Sequence, residues 1–418
     1  MVKVSDLPEE LLRYLFQMLS PEDLKAVVLT DRKWRQVGED PVFWKWCIIR
    51  INNGNDLRKL SIGRFKYIEE IVVFSHFNWQ AHFLQAHQLE KLLQDTLELP
   101  KLKEIKGLQL DLNFINPHLL GKSLGKLEFL RLVGINNTTN DQNMAIFKEM
   151  AEKGCMKKLR LVFISLLELE VKKLSKVISG LQELELIQVS FTNDQVSAMF
   201  TSISENNQLN KIELDSLSVS SVEPELFGKA VTNIDIVNLD NMEISPHQAR
   251  ALFTQMGQNR KIKKFCAHVN LSRADPKLIA RGLSKLEEVR LTGFTLTDEQ
   301  VLSIFRELKQ NCKLKVLELP FHNLSSVHPN DLSKVVNNIE VVNMCWCELS
   351  TEQITAVLVR TQRNTKLKLL DIRDNDIFEV DPVILATAGE IIEELYVDDV
   401  ESSVEDYENV DDENMSFD

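Results

Sequence analysis

The sequence predicts an α/β solenoid behind a short all-α segment, and three observations carry that expectation. A capping-box signature returns five times: Thr139 with Gln142, Thr192 with Gln195, Ser245 with Gln248, Thr297 with Gln300 and Ser350 with Gln353, at steps of 53, 53, 52 and 53 residues. Each pair heads an apolar run of helical period. A hydroxyl followed three residues later by an amide satisfies two of the orphan N–H groups at a helix start. Half a unit out of phase, Pro117, Pro224, Pro276, Pro329 and Pro382 open a second set of helices, with Val171 in that place once. Proline costs nothing at the first helical position, where its N–H would be unpaired anyway. Between the helices runs the pattern L-x-x-L-x-L, starting at Leu102, Leu127, Met156, Leu181, Leu209, Ile234, Ile262, Leu286, Leu314, Ile339, Leu367 and Ile392. Alternate side chains of such a strand enter a shared core. One strand–helix unit cannot bury both its faces, so neighbours must stack, with parallel strands inside and helices outside.

The array resembles a leucine-rich-repeat horseshoe of the ribonuclease-inhibitor kind over about two-thirds of the chain. That resemblance implies a fold and is silent on the ligand. The Ile262 unit is weaker, with Phe265 and Ala267 where leucine is usual, and the Leu102 unit is stretched. Two segments compete for the first strand, Leu57 to Ile62 and Ile68 to Val73, and Asn52-Asn53-Gly54-Asn55 is the expected seam before the array. The expected organisation is a helical segment over residues 1–50, a linker or first-repeat cap over 51–67, the solenoid over 68–397 and an acidic, disordered tail over 398–418.

Residues 7–44 read as three or four short helices. Asp6 is placed to cap the first, with Pro8 in its first turn, and Leu11, Leu12, Leu15, Phe16 and Leu19 recur at helical spacing. Ser20-Pro21-Glu22-Asp23 stops that helix and starts a second, which carries Leu24, Val27 and Val28. Asp31 opens a third with Trp34 and Val37, and Asp40-Pro41 a fourth with Phe43, Trp44 and Trp46. A unit this small cannot bury so much leucine and tryptophan within itself. Part of the stripe is therefore expected to face another protein.

The ordered residues Leu7-Pro8, Glu10-Leu11-Leu12, Leu15-Phe16, Leu19, Asp23-Leu24, Trp34-Arg35, Pro41 and Trp44 resemble the F-box family. Val27 and Val28 fill positions where that family varies among Cys, Val and Ala. The resemblance implies docking on a Skp-family adaptor that hangs from a cullin carrying a RING protein. It further implies that Leu7, Pro8, Leu11, Leu12, Leu15, Leu24 and Val28 make the adaptor contact, and that Phe16, Leu19, Trp34 and Trp44 hold the helices together.

Composition sets limits on function. The 418 residues are 44% apolar and 27% charged, ordinary for a globular protein with ample core. No run of eighteen apolar residues occurs, so no membrane span is expected, and helix-cap chemistry by residue 6 leaves no room for a signal peptide. Cys47, Cys155, Cys266, Cys312, Cys345 and Cys347 are scattered with no C-x-x-C pair, which suits a reducing compartment, the cytosol or nucleus. Ten acids and no Lys or Arg lie between Asp398 and Asp418, so most of the net charge of -13 sits there and the body is nearly neutral. A general basic surface for nucleic acid is therefore not expected.

No catalytic constellation, metal site or cofactor cradle emerges. Cys266 and His268 share a strand face but lack an orienting third group, and Cys345-Trp346-Cys347 offers two ligands where zinc needs four. The inner strand face supplies the binding candidates instead. Arg131, Lys158 and Arg160 form a basic cluster beside an acidic one, which would suit a partner of split charge or a phosphorylated segment. Phe321 and Val341, with Val316, surround Trp346, an exposed aromatic of the kind that anchors interfaces. Two functions follow as expectations: a non-catalytic substrate-recognition subunit of a ubiquitin ligase, or a stand-alone interaction protein whose N-terminal helices only cap the array. The direction in which Leu7, Leu11, Leu12 and Leu24 point separates them.

Overall fold

A computed structural model describes residues 7–44, 47–61, 66–73, 84–106, 112–133, 138–258, 261–293, 296–310, 313–362 and 366–398. The chain divides into two compact units, Met1–Asn210 and Lys211–Asp418.

The first unit opens with α1 (Glu9–Phe16), α2 (Pro21–Val27), α3 (Arg32–Gly38) and a 3-10 turn over Pro41–Trp44. Ser20 Oγ accepts the Asp23 amide at the start of α2, and the Asp31 carboxylate accepts the Lys33 and Trp34 amides of α3. The chain enters α1 through Pro8, which stands outside the helix and gives it no side-chain cap. The expected cap Asp6, the fourth-helix residue Trp46, Cys312 and the stretch 399–418 lie outside the described residues.

Six strands follow: β1 (Ile48–Ile51), β2 (Glu70–Val73), β3 (Glu104–Lys106), β4 (Phe129–Val133), β5 (Lys158–Val162) and β6 (Glu183–Ile187). Each pairs in parallel with the next. Between and after them run α4 (Ala86–Leu97), α5 (Pro117–Leu124), α6 (Asn140–Lys153), α7 (Val171–Ile178) and α8 (Asn193–Glu205). Neither segment expected as first strand comes first. The sheet starts at Ile48–Ile51, ahead of the Asn52–Asn55 turn, and β2 falls within the second of the two segments. Residues Gly54–Ser61 are instead a 3-10 helix, with Leu57 and Leu60 buried. Leucines three apart share a face of a helix with three residues per turn, and only one of them would point inward from a strand.

The second unit repeats the theme. Its strands are β7 (Lys211–Asp215), β8 (Ile236–Asp240), β9 (Lys264–His268), β10 (Glu288–Leu291), β11 (Val316–Glu318), β12 (Val341–Asn343), β13 (Leu369–Asp371) and β14 (Glu394–Tyr396), all parallel to their neighbours. Its helices are α9 (Pro224–Thr232), α10 (Pro246–Gln258), α11 (Pro276–Leu283), α12 (Asp298–Leu308), α13 (Pro329–Val336), α14 (Thr351–Thr361) and α15 (Pro382–Ile391).

The strands carry a ladder of inward side chains. Ile212, Val237, Phe265, Val289, Leu317, Val342 and Leu370 stand opposite one another in register, and all are buried. Burying each such side chain contributes about 1.5–3 kcal/mol, so the ladder and the helix stripes supply the driving force that no repeat has alone. Phe265 fills its place in the weaker repeat by meeting Phe253 edge to face, with ring centroids 6.2 Å apart.

The five capping boxes form as the spacing predicts, and their glutamines do a second job. Each amide oxygen accepts its own cap residue's N–H, while Nε2 reaches back to two backbone carbonyls of the preceding repeat. The acceptors are Leu112 and Ile115 for Gln142, Leu166 and Leu169 for Gln195, Val219 and Val222 for Gln248, Leu271 and Ala274 for Gln300, and Leu324 and Val327 for Gln353. All five glutamines are buried. The turn from strand to helix would otherwise leave buried carbonyls unpaired, which the interior does not tolerate.

Candidate functional site

The N-terminal helices sort their leucines into two classes. Leu12 and Phe16 of α1, Leu24 of α2, Val28 and Val37 are buried. Gly38 closes this small core, because a Cβ there would collide with Val28 Cγ1 and crowd Phe16. Phe16 meets Trp34 and Phe43 edge to face, with ring centroids at 6.2 and 5.9 Å. Trp44 is buried and donates from Nε1 to the Gly38 carbonyl at 2.5 Å. Arg13 ties α1 to the final turn through Asp40 at 2.6 Å. That hydrogen bond and the Val42 amide hold the Asp40 carboxyl below its ordinary pKa.

The other face of α1 is left over. Leu11, Tyr14 and Leu15 are 50%, 59% and 44% exposed at the i, i+3, i+4 spacing of one helical stripe, and Met18, in the turn just after α1, is 65% exposed. Leu29 and Val42 are exposed too. Of the residues expected to touch an adaptor, Leu11 and Leu15 are therefore presented, Pro8 is exposed and Leu7 is half-buried. Leu12, Leu24 and Val28 are not presented: the helix turns them into the core that holds α1, α2 and α3 together. Among the residues expected in that core, Phe16 and Trp44 are buried, while Leu19 and Trp34 are half-buried. Tyr14, Met18, Leu29 and Val42 were missed. For the first two, the period starting from Leu11 was the available signal.

The exposed strand face of the first unit carries Arg131, Lys158 and Arg160 around a shallow cavity of about 340 Å³. In register, Arg131 stands opposite Arg160, and Lys158 and Arg160 stand opposite Glu183 and Glu185. Lys158 pairs with Glu183 at 2.6 Å and Arg160 with Glu185 at 3.2 Å on the next strand, and Lys158 also lies over the Phe129 ring at 5.5 Å. Parallel register sets the bases of β5 against the acids of β6, so the Lys158 and Arg160 charges are neutralised by cross-strand pairs.

In the second unit the rings of Phe321 and Trp346 stack, with centroids 6.3 Å apart and planes 20° from parallel. Val316 and Val341 are opposed in register and half-buried. Arg373 is doubly bonded to the buried Asp371 carboxylate at 2.7 and 3.0 Å and lies over the Tyr396 ring at 5.5 Å.

Among the described residues, no group of three His, Cys, Asp or Glu is arranged to hold a metal, and no helix is long and apolar enough to cross a membrane. Burial pushes the Cys266 thiol up to about 11 and the Cys347 thiol up to about 12, and the nucleophilic form is the thiolate. His268 Nδ1 contacts the Thr292 hydroxyl at 3.1 Å.

An F-box-like family model matches residues 4–50. No curated protein matches the chain. Among solved structures, the chain is similar to a leucine-rich-repeat protein of Leptospira interrogans, at 14% identity and a TM-score of 0.47, covering 81% of this chain and 80% of that one. It is also similar to a chain of the yeast Rad7–Elc1 complex, at 17% identity and a TM-score of 0.46, covering 74% and 82%. A chain of the TLR13–ssRNA13 complex matches at 14% identity and a TM-score of 0.45, covering 79% and 46%. With parallel strands on an L-x-x-L-x-L period alternating with helices, this chain is an F-box-like domain followed by a leucine-rich-repeat solenoid.

Proposed function

We propose that this chain is the substrate-recognition subunit of an SCF-type ubiquitin ligase. The F-box-like helices dock on a Skp-family adaptor, which links them to a cullin and its RING protein, and the repeats hold the substrate protein. One observation supports this reading above others: Leu11, Tyr14 and Leu15 line a face of α1 that the helical core does not use, and Met18 is exposed in the turn just after it. Three large apolar side chains in one stripe, with a fourth just beyond it, form the kind of exposed patch that marks a protein interface. The chain acts by proximity and contributes no catalytic group. Tethering raises the local concentration of substrate lysines near the ubiquitin-loaded enzyme. Work of that kind belongs in the cytoplasm or nucleus.

Affinity capture tests it. A Skp-family adaptor and a cullin should co-purify with the full-length chain and vanish with the Leu11→Ala/Leu15→Ala variant, while substrates held by the repeats stay. Equal recovery of the adaptor with both baits would remove the reading.

A further inference from the structure

After many of the strands the turn passes through the left-handed region, and five repeats put a small or polar residue there: Gln188, Ser216, Asn241, Gly293 and Asp374. Three repeats put a large aromatic there instead: Phe163 at φ 57° in the first unit, and in neighbouring repeats of the second unit Phe321 at φ 63° and Trp346 at φ 56°, the two whose rings stack on each other. A bulky side chain is strained in that region, where glycine or asparagine sits more easily. The two rings are also not used as core: Phe321 is 39% exposed and Trp346 55%. Strain kept for exposed side chains points to a ligand.

The surroundings of the stack set the ligand's charge. Glu348 is exposed two residues beyond Trp346 and accepts from Asn323, two residues beyond Phe321, so it lies on the same rim. Asp374 is exposed at the position equivalent to Trp346 in the next repeat, about 4.8 Å further along the sheet. Its amide donates to the Asp398 carboxylate at 2.6 Å, which brings a third acid to the same corner. Burial first, and then the charges of Asp398 and Asp371, raise the Asp374 carboxyl pKa. The neighbouring cation Arg373 is already committed to Asp371 and Tyr396. An aromatic face ringed by carboxylates attracts cations and repels phosphate-rich partners such as nucleic acid or an anionic membrane.

We infer that the Phe321–Trp346 stack is the docking point for a basic segment of the partner protein, with an arginine or lysine laid against the Trp346 ring and Glu348 and Asp374 beside it. This rests on reading the repeats as the substrate-holding part of the chain, and it names the chemistry of what they hold.

The probe is a short labelled peptide of alternating glycine and arginine, read by fluorescence anisotropy against the full-length protein, with a citrulline version as its neutral twin. The arginine peptide should bind and the citrulline peptide should not. Trp346→Ala should weaken binding about tenfold, and Glu348→Gln with Asp374→Asn about threefold or more. The acidic stretch after Asp398 is intact in both variants. Unchanged binding by Trp346→Ala would therefore assign the peptide to that stretch and overturn the inference. Equal binding of the citrulline peptide, or no binding of the arginine peptide, would overturn it as well. Adaptor capture by Trp346→Ala is a separate readout, so a failure of the ligase reading shows there and not in the anisotropy.

Discussion

Gln300 Nε2 donates to the Ala274 carbonyl at 2.7 Å, across 26 residues of sequence, while its own amide oxygen caps the helix it opens. One side chain thus ties a helix start to the strand-to-helix turn of the repeat before it. The same bond recurs at the other four capping glutamines, and it makes neighbouring repeats depend on each other for polar satisfaction as well as for apolar burial.

Replacing Gln300 by Leu keeps the volume, leaves the buried Ala274 carbonyl without its donor and Leu271 with the Ala274 amide alone, and takes the acceptor from the Thr297 amide. An unsatisfied buried group costs about 1–3 kcal/mol, so the variant should lose roughly 2–4 kcal/mol. Thr297→Ala removes only the cap hydroxyl and should lose about 1 kcal/mol. Denaturant titration of both variants checks the ranking, and equal losses would leave the bond to the preceding repeat without weight.

The N-terminal helices should respond in opposite ways to neighbouring substitutions. Leu12→Ala opens a cavity in their core and should cost about 2–5 kcal/mol. Leu11→Ala, one residue away on the exposed stripe, should change stability by under about 0.5 kcal/mol. Thermal unfolding of the free chain distinguishes them.

Gly38→Ala should overpack the same core. The added methyl meets Val28 in a helix that elsewhere would welcome alanine, and the expected loss is about 1–3 kcal/mol. Val28→Ala in the same chain should recover part of it, which a double-mutant cycle would read.

Stability should fall with acid through His322. Its ring is buried, its Nδ1 lies 3.0 Å from the Pro320 carbonyl, its Nε2 has no hydrogen-bond partner among the described residues, and burial lowers its pKa. A base whose folded pKa lies below its unfolded value binds fewer protons when folded, so stability rises with pH between the two values. The contribution is complete above about pH 6.5 and is lost as pH falls below it. Denaturant unfolding from pH 8 to pH 5 should show this loss in the native chain. His322→Gln should show a flatter slope, and the difference isolates His322 from carboxyls such as Asp240 and Glu318, whose raised pKa values act in the opposite sense.

What the sequence made legible is what local chemistry determines. Thr192 with Gln195, or Pro276 at the head of α11, announces a helix start from within a few residues. The strand period is similarly local. Long-range partners were not legible: nothing near Gln300 says that its amide reaches Leu271, and nothing near Lys158 says that register sets it against Glu183. The first strand was hidden for another reason. Ile48–Ile51 follows directly on the buried Trp44 and Cys47, so its short alternation merges with the apolar end of the helical segment. The exposed apolar stripe was half legible. Composition showed an excess of leucine over what the helices can bury, but the rotation of α1 decides that Leu11 and Leu15 face out and Leu12 faces in.

The central claim is that the exposed stripe of α1 is an adaptor-binding surface. Its most direct test is the Kd of a purified Skp-family adaptor for the full-length chain and for the Leu11→Ala/Leu15→Ala/Met18→Ala variant, each first shown to unfold at the native temperature. Loss of several interface anchors is expected to raise Kd by more than about 30-fold, on the order of 2–5 kcal/mol, with the fold intact. A variant that binds the adaptor as tightly as the native chain, or a native chain that does not bind it, would contradict the account.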